Sequence, residues 1–93
     1  MKFGVYSIAD ALTGYMRPTV EQNDAVAMRN FRAAILQVRD GNVLHCDPQD
    51  FTLYKIGTFE TDSGELSGHA PVPVVTGMSV MLDSLNKEDN HGV

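Results

Sequence analysis

The chain has 93 residues, of which 43% are hydrophobic and 20% are charged, a composition typical of one small globular domain. This balance excludes a disordered chain, and no apolar run approaches the roughly 18 residues that a membrane-spanning helix needs. Its start lacks the basic and apolar segments of a signal peptide, and a lone cysteine, Cys46, cannot form an internal disulfide. We therefore expect a cytoplasmic protein that does not enter a membrane.

The net charge of -5 is unevenly distributed along the chain. Residues 1–58 carry six basic and six acidic side chains, whereas residues 59–93 carry one basic and six acidic side chains. The first part can therefore still present a local basic surface, because binding depends on the local potential rather than on the net charge.

The N-terminal segment predicts a β-hairpin. Residues 1–8 are rich in β-branched and aromatic side chains, and strand alternation places Val5 and Tyr6 on opposite faces. Turn-forming residues follow at positions 9–14, and residues 15–17 resume an extended pattern that Pro18 ends.

The next segment predicts an amphipathic helix. Asn23 is a favourable N-cap and Gly41 a favourable residue after the helix end, although residues 19–22 also fit a capping box that would start the helix one turn earlier. The apolar residues recur at spacings of three and four: Ala27, Met28, Phe31, Ala34, Ile35 and Val38.

The second half predicts another hairpin and an arm. Residues 51–59 form the clearest strand pattern, residues 61–64 a tight turn with a glycine bulge, and residues 65–68 a short return strand. Proline spacing in residues 70–75 indicates an extended arm or edge strand. Residues 76–85 have weak helical spacing, and residues 86–93 are expected to fray.

The predicted fold class is therefore α+β. A small antiparallel sheet of two hairpins would pack on one amphipathic helix, with residues 1–68 as the core domain and residues 69–93 as a C-terminal arm or tail.

No pattern predicts catalysis, a metal site or a cofactor. His45, Cys46, Asp47 and Asp50 lie close in sequence, but they lack the paired spacing of a zinc site. No glycine-rich phosphate loop is present, and the paired carboxylates fall in predicted turns. We therefore expect a protein that is not an enzyme.

Basic and aromatic residues on the predicted strands suggest a surface for single-stranded DNA, which proteins commonly hold by base stacking and phosphate pairing. The alternative is that the tyrosines are half-buried sheet residues with hydrated hydroxyls. The candidate DNA-binding residues are Lys2, Tyr6, Tyr15, Arg17, Tyr54 and Lys55.

Whole blocks of the chain resemble a known family. They are M-K-F-G-V-Y-S-I-A-D, T-G-Y-M, P-T-V-E-Q-N-D-A-V-A-M-R-N-F and D-F-T-L-Y-K-I-G-T-F-E-T-D-S-G. In this order they resemble the small nonstructural protein of gokushoviruses, single-stranded DNA phages of the Microviridae. The resemblance extends from Met1 to about Gly64, and the sequence departs from it after about His69.

The resemblance implies a non-enzymatic DNA-binding protein in the cytoplasm of an infected bacterium, which favours single-stranded genome synthesis and packaging late in replication. It supplies no catalytic residues. Two alternatives stay open. The protein could be an adaptor that contacts the replication initiator or the procapsid without touching DNA, or a homodimer in which residues 72–75 pair with a second copy's sheet edge.

Overall fold

The structure is a computed structural model that describes residues 1–91 and the side chains of residues 1–87. Its elements are a short 3₁₀ turn at Pro48–Asp50, the strands β1 (Lys2–Asp10), β2 (Gly14–Tyr15), β3 (Thr19–Glu21), β4 (Phe51–Glu60) and β5 (Leu66–Thr76), and the helices α1 (Asp24–Leu36), α2 (Val43–Cys46) and α3 (Gly77–His91). The predicted α+β class with an antiparallel sheet is confirmed.

The strands form one antiparallel sheet in the order β2-β1-β4-β5, and β3 pairs with β1 on the same edge as β2. The predicted first hairpin is thus confirmed, but its return arm is interrupted. Tyr15 pairs with Ala9, and after Pro18 the chain pairs again, with Val20 opposite Val5. The alternative helix start at residues 19–22 is wrong, because residues 19–21 belong to β3.

Helix α1 begins where the N-cap prediction placed it. The side chain of Asn23 accepts a hydrogen bond of 2.9 Å from the backbone amide of Val26. The helix ends at Leu36, earlier than the predicted apolar stripe, and Val38 is 82% exposed. The side-chain amide of Asn42 donates to the carbonyls of Ala34, in the last helical turn, and of Gln37, the residue after the helix, so these carbonyls need no further helical partners.

The hydrophobic core lies between the sheet and the helices α1 and α3. Its buried members are Tyr6, Ala27, Phe31, Ile35, Phe51, Leu53 and Val80. Strand and helix periodicity therefore direct one face of β1 and β4 and one face of α1 into a common interior.

The predicted return strand and arm form one continuous strand, β5, which crosses the sequence position where the arm was expected to begin. As predicted for the proline-spaced segment, β5 is an edge strand, and it includes Pro71 and Pro73. The turn before it contains Gly64 with a φ of +75°, the left-handed conformation that glycine adopts without strain.

Helix α3 is longer than its sequence pattern predicted. The hydroxyl of Thr76 accepts from the amide of Ser79 at 3.1 Å and so caps the helix start. A hydrogen bond of 3.0 Å from Arg32 to Asp83 joins the helix to α1. The helix continues to His91 through much of the segment expected to fray, and residues 92–93 lie outside the described residues.

Candidate nucleic-acid interface

The two faces of the sheet differ in what lies on them. The pairing of β1 with β4 sets Tyr6 opposite Lys55 and Ser7 opposite Tyr54. Tyr6 belongs to the core under α1 and α3, so its face is the covered face. Because strand side chains alternate, Ser7 and Tyr54 lie on the other face, which we call the open face because the core helices pack on the opposite side.

The open face presents an aromatic pair. Tyr15 pairs with Ala9, two positions after Ser7 on β1, which puts the Tyr15 ring on the same face as Tyr54. The two ring centroids are 5.5 Å apart, with an interplanar angle of 68°. Tyr15 is 55% exposed and Tyr54 is half-buried. This edge-to-face contact holds one ring at the surface beside another, and we call the two residues the tyrosine pair.

The open face is otherwise mainly apolar. Phe3 pairs with Phe59 and Val5 pairs with Val20, and both pairs share the parity of Ser7. Val20 is 47% exposed and the two phenylalanines are partly buried, whereas Val5 and Ser7 are buried. The exposed apolar side chains of this face therefore include Tyr15 and Val20, beside partly buried aromatic rings.

Tyr6 is part of the core and has no ring face available for stacking. Its side chain is 1% exposed, and its hydroxyl donates to the carboxylate of Asp24 in the first turn of α1. The ring lies directly over Gly4, where an added Cβ would overlap it. Burial, followed by the hydrogen bond to Asp24, raises the pKa of the Tyr6 hydroxyl above its usual value. We therefore assign Tyr6 a structural role, contrary to the stacking role predicted from the sequence.

Lys2 and Lys55 lie together, away from the tyrosine pair. Both line a wide depression of about 550 Å³ on the covered side, beside the start of α1. Thr58 and Asn23 line the same depression, and Asp24 contributes a carboxylate to it. The two lysines predicted to pair with phosphates are thus separated from the aromatic rings by the thickness of the sheet.

Arg17 occupies a third position, at the edge of the sheet between β2 and β3. Its side chain is exposed and lines a smaller cavity of about 140 Å³ between β1, β3 and α1. Of the six predicted residues, the structure therefore brings together Tyr15 and Tyr54, with Arg17 two residues along the chain. It places the other three on the covered side of the sheet.

Sequence reasoning did not find this smaller cavity. Asn30, on the polar side of α1, contributes to its rim together with Thr19 and Glu21 of β3. The missing signal was the pairing of β3 with β1, which brings residues 19–21 beside the helix.

A family comparison identifies the origin of the chain. The family model described as Phage ORF5 protein matches residues 3–80, which include all of the sheet except the first residue of β1. The chain belongs to the Phage ORF5 protein family. It is therefore a phage protein, and the matched segment includes the tyrosine pair, Arg17 and the smaller cavity. No curated protein and no solved structure matches this Phage ORF5 family member.

Among residues 1–91, no helix combines the length and the apolar character needed to cross a membrane. No group of three or more His, Cys, Asp or Glu side chains within the described residues is arranged to hold a metal ion.

Proposed function

We propose that this Phage ORF5 family protein is a non-enzymatic accessory protein that binds single-stranded DNA. It acts in the cytoplasm of the infected bacterium, during late genome replication and packaging. The observation that carries the proposal is the tyrosine pair on an uncovered sheet face, because paired surface rings are a common platform for single-stranded bases. The resemblance to a protein of single-stranded DNA phages supports the same ligand.

Of the six candidate residues, the proposed DNA-binding site keeps Tyr15, Tyr54 and Arg17, because Tyr6 is buried and the two lysines lie on the covered side of the sheet. Bases stack on the exposed rings while the guanidinium of Arg17, at the sheet edge, pairs with a phosphate. Stacking contributes about 1–3 kcal/mol per base and tolerates different sequences. Because few cations face the bases, we expect a shallow salt dependence, with a slope near −0.7 in log affinity against log salt for each phosphate contacted.

The test is the affinity of the purified protein for a fluorescent oligothymidylate, measured by anisotropy over a salt series. We expect the double substitution Tyr15→Ala with Tyr54→Ala to weaken binding by about 30-fold or more, the loss of roughly 1 kcal/mol of stacking at each ring. The double substitution to Phe keeps both rings and should retain most of the affinity. Lys55→Gln, on the covered side, serves as the charge control and should change little.

An unchanged affinity in the double alanine variant would refute the tyrosine pair as the site. A Lys55→Gln variant that binds much more weakly than the Phe variant would place the DNA on the covered side instead.

A second candidate is a protein-interaction adaptor that contacts the replication initiator or the procapsid. The specific observation in its favour is that none of the three candidate cations shares the open face with the tyrosine pair, while the protein's net charge is -5. An apolar, aromatic surface with few charges is typical of the centre of a protein interface. Absence of DNA binding even at low salt, together with tyrosine-dependent capture of a purified phage protein, would favour the adaptor.

The homodimer through residues 72–75 stays a prediction. Strand β5 is an edge strand, as pairing with a second copy requires. However, Pro71 and Pro73 have no backbone N–H to donate, so such a dimer would form fewer hydrogen bonds than an ordinary strand pair. A monomer mass for the full chain in light scattering would contradict the dimer.

A further inference from the structure

Two adjoining depressions on the covered side of the sheet form one groove. The first, of about 550 Å³, lies between β1, β4 and the start of α1, and the second, of about 320 Å³, lies between α1, the end of β5 and the start of α3. Ala25 lines both depressions, so they meet at this residue. We call them together the basic groove, and the lining residues that matter here are Lys2, Ala25, Met28, Arg29, Arg32 and Lys55.

The basic groove is open to solvent, because α1 and α3 leave the middle of β5 exposed. Val72, which pairs with Lys55 and so shares its face, is 53% exposed, and Met28 on the α1 wall is 39% exposed. Ala25 and Arg29 are exposed as well. The groove therefore offers accessible apolar carbon between charged walls.

The groove concentrates positive charge in a protein whose net charge is -5. Four of the seven Lys and Arg side chains of the sequence line it. Asp24 opposes them from inside the groove, and Arg32 is paired with Asp83. Among residues 1–87, whose side chains the structure describes, Lys2, Arg29 and Lys55 form no ion pair. A partner that brings negative charge is therefore complementary to this surface.

Helix α3 has an apolar stripe that its own chain leaves exposed. Met78, Leu82 and Leu85 follow one another at spacings of four and three residues, which places them on one side of the helix. They are 39%, 53% and 50% exposed. An amphipathic helix of this kind is suited to pack its apolar side into a groove.

The C-terminal part of α3 is acidic and extends past the contact with α1. Asp83 joins the helix to α1 by its hydrogen bond with Arg32. The helix continues from there to His91, about 12 Å further at 1.5 Å per residue. The sequence of this part includes Glu88 and Asp89. The helix thus combines apolar side chains with negative charge, and the groove combines apolar side chains with positive charge.

We propose that two copies of this protein associate by placing the C-terminal part of α3 of each copy in the basic groove of the other. Leu82 and Leu85 contact Met28 and Val72, and the acidic end of the helix faces the groove cations. Because the pair is related by a twofold axis, every contact occurs twice. This surface is separate from the tyrosine pair and from the outer edge of β5, so the inference goes beyond the proposed function and differs from a dimer formed by strand pairing.

The first experiment measures the mass of the full chain by sedimentation equilibrium from micromolar to millimolar protein. We expect a concentration-dependent dimer that Arg29→Glu weakens by about fivefold or more, since an attraction becomes a repulsion. Arg39→Glu makes the same charge change at an exposed position outside the groove and should change little. A monomer at every concentration, or equal weakening by the two variants, would overturn the proposal.

The second experiment tests the apolar stripe. Leu85→Ala should weaken the dimer by about fivefold, the loss expected for a side chain that contributes to an interface. Leu12→Ala, the same truncation at a residue that is 82% exposed in a turn far from α3 in the sequence, should leave the dimer unchanged. Equal dimer affinities of these two variants would overturn the assignment of α3 to the interface.

The third experiment combines two variants that each oppose their own copies. Arg29→Glu places like charges together in its own dimer, and so does Glu88→Lys, but a mixed pair has complementary charges at both contacts. We expect the mixture to form a dimer at a concentration where each variant alone is a monomer. A mixture that stays monomeric at this concentration would overturn the proposal.

The same variants separate this proposal from DNA binding. Weaker oligothymidylate binding by Arg29→Glu, with an unchanged mass, would show that the groove binds DNA and would overturn the dimer. A groove-dependent dimer in a protein that binds no oligonucleotide would support the dimer and overturn only the proposed function.

Discussion

The covered and open faces of the sheet are built by the same two central strands, β1 and β4, but they differ in how their aromatic side chains are buried. The covered face places Tyr6 and Leu53 under α1 and α3, where they are almost fully buried. The open face holds Tyr54 and Tyr15 at the surface without a covering helix. The comparison teaches that the two faces of one sheet separate its aromatic residues into a group that stabilises the fold and a group available for binding.

The largest difference in unfolding free energy is expected between the variants Phe31→Ala and Tyr54→Ala. Phe31 is 2% exposed in the core, and truncation of such a ring costs about 3–5 kcal/mol in unfolding free energy. Tyr54 is half-buried on the open face, so its truncation should cost about 1 kcal/mol. Urea denaturation followed by circular dichroism measures both, and equal costs would contradict the distinction between the core packed against the covered face and the open face.

A smaller difference in stability is expected between two variants that each remove one tyrosine hydroxyl. Tyr6→Phe removes the hydrogen bond to the Asp24 carboxylate and should destabilise the protein by about 1.5–3 kcal/mol. Tyr15→Phe removes an exposed hydroxyl and should change the stability by less than about 0.5 kcal/mol. The same denaturation experiment compares them, and a destabilisation by Tyr15→Phe as large as that by Tyr6→Phe would contradict the assignment of Tyr6 to the core.

The smallest effect on stability is expected from the ion pair between Arg32 and Asp83, which joins α3 to α1. The Arg32 guanidinium, and then Lys87, lower the pKa of the Asp83 carboxyl below its usual value. A lowered carboxyl pKa in the folded state contributes stability above the unfolded pKa of about 3.9, and this contribution is lost as the pH falls through the folded value. Asp83→Asn should therefore lower the urea midpoint slightly at neutral pH, and the difference should disappear in acid. A difference that is independent of pH would show that the ion pair contributes nothing.

The strongest local patterns predicted β1, the start of α1, β4 and the glycine turn before β5. Each depends on neighbouring residues alone, as with the Asn23 cap and the alternation within residues 51–59. Pairing of β3 with β1 and the early end of α1 could not be predicted in the same way. They depend on contacts outside the segments themselves, with β1 for residues 19–21 and with the Asn42 amide for the carbonyls of Ala34 and Gln37.

Only part of the candidate site could be predicted, because the rest also depends on how the strands pair. Closeness in sequence groups the aromatic residues and the cations into one surface, although Tyr54 and Lys55 are adjacent in a strand and must lie on opposite faces. Grouping Tyr15 with Tyr54 requires the β1–β2 and β1–β4 registers, which no local pattern supplies. Prediction of the cavity would require, in addition, the position of α1 beside β3.

The outermost strand has a consequence for how copies of the protein meet at high concentration. In an edge strand, proline is tolerated where its nitrogen faces away from the neighbouring strand, so Pro71 and Pro73 remove amide donors from the row that faces outward. A second chain approaching this edge meets an interrupted template, which disfavours the continuous ladders from which cross-β aggregates grow. The same residues that make this segment look like an arm in the sequence therefore protect the sheet where it ends.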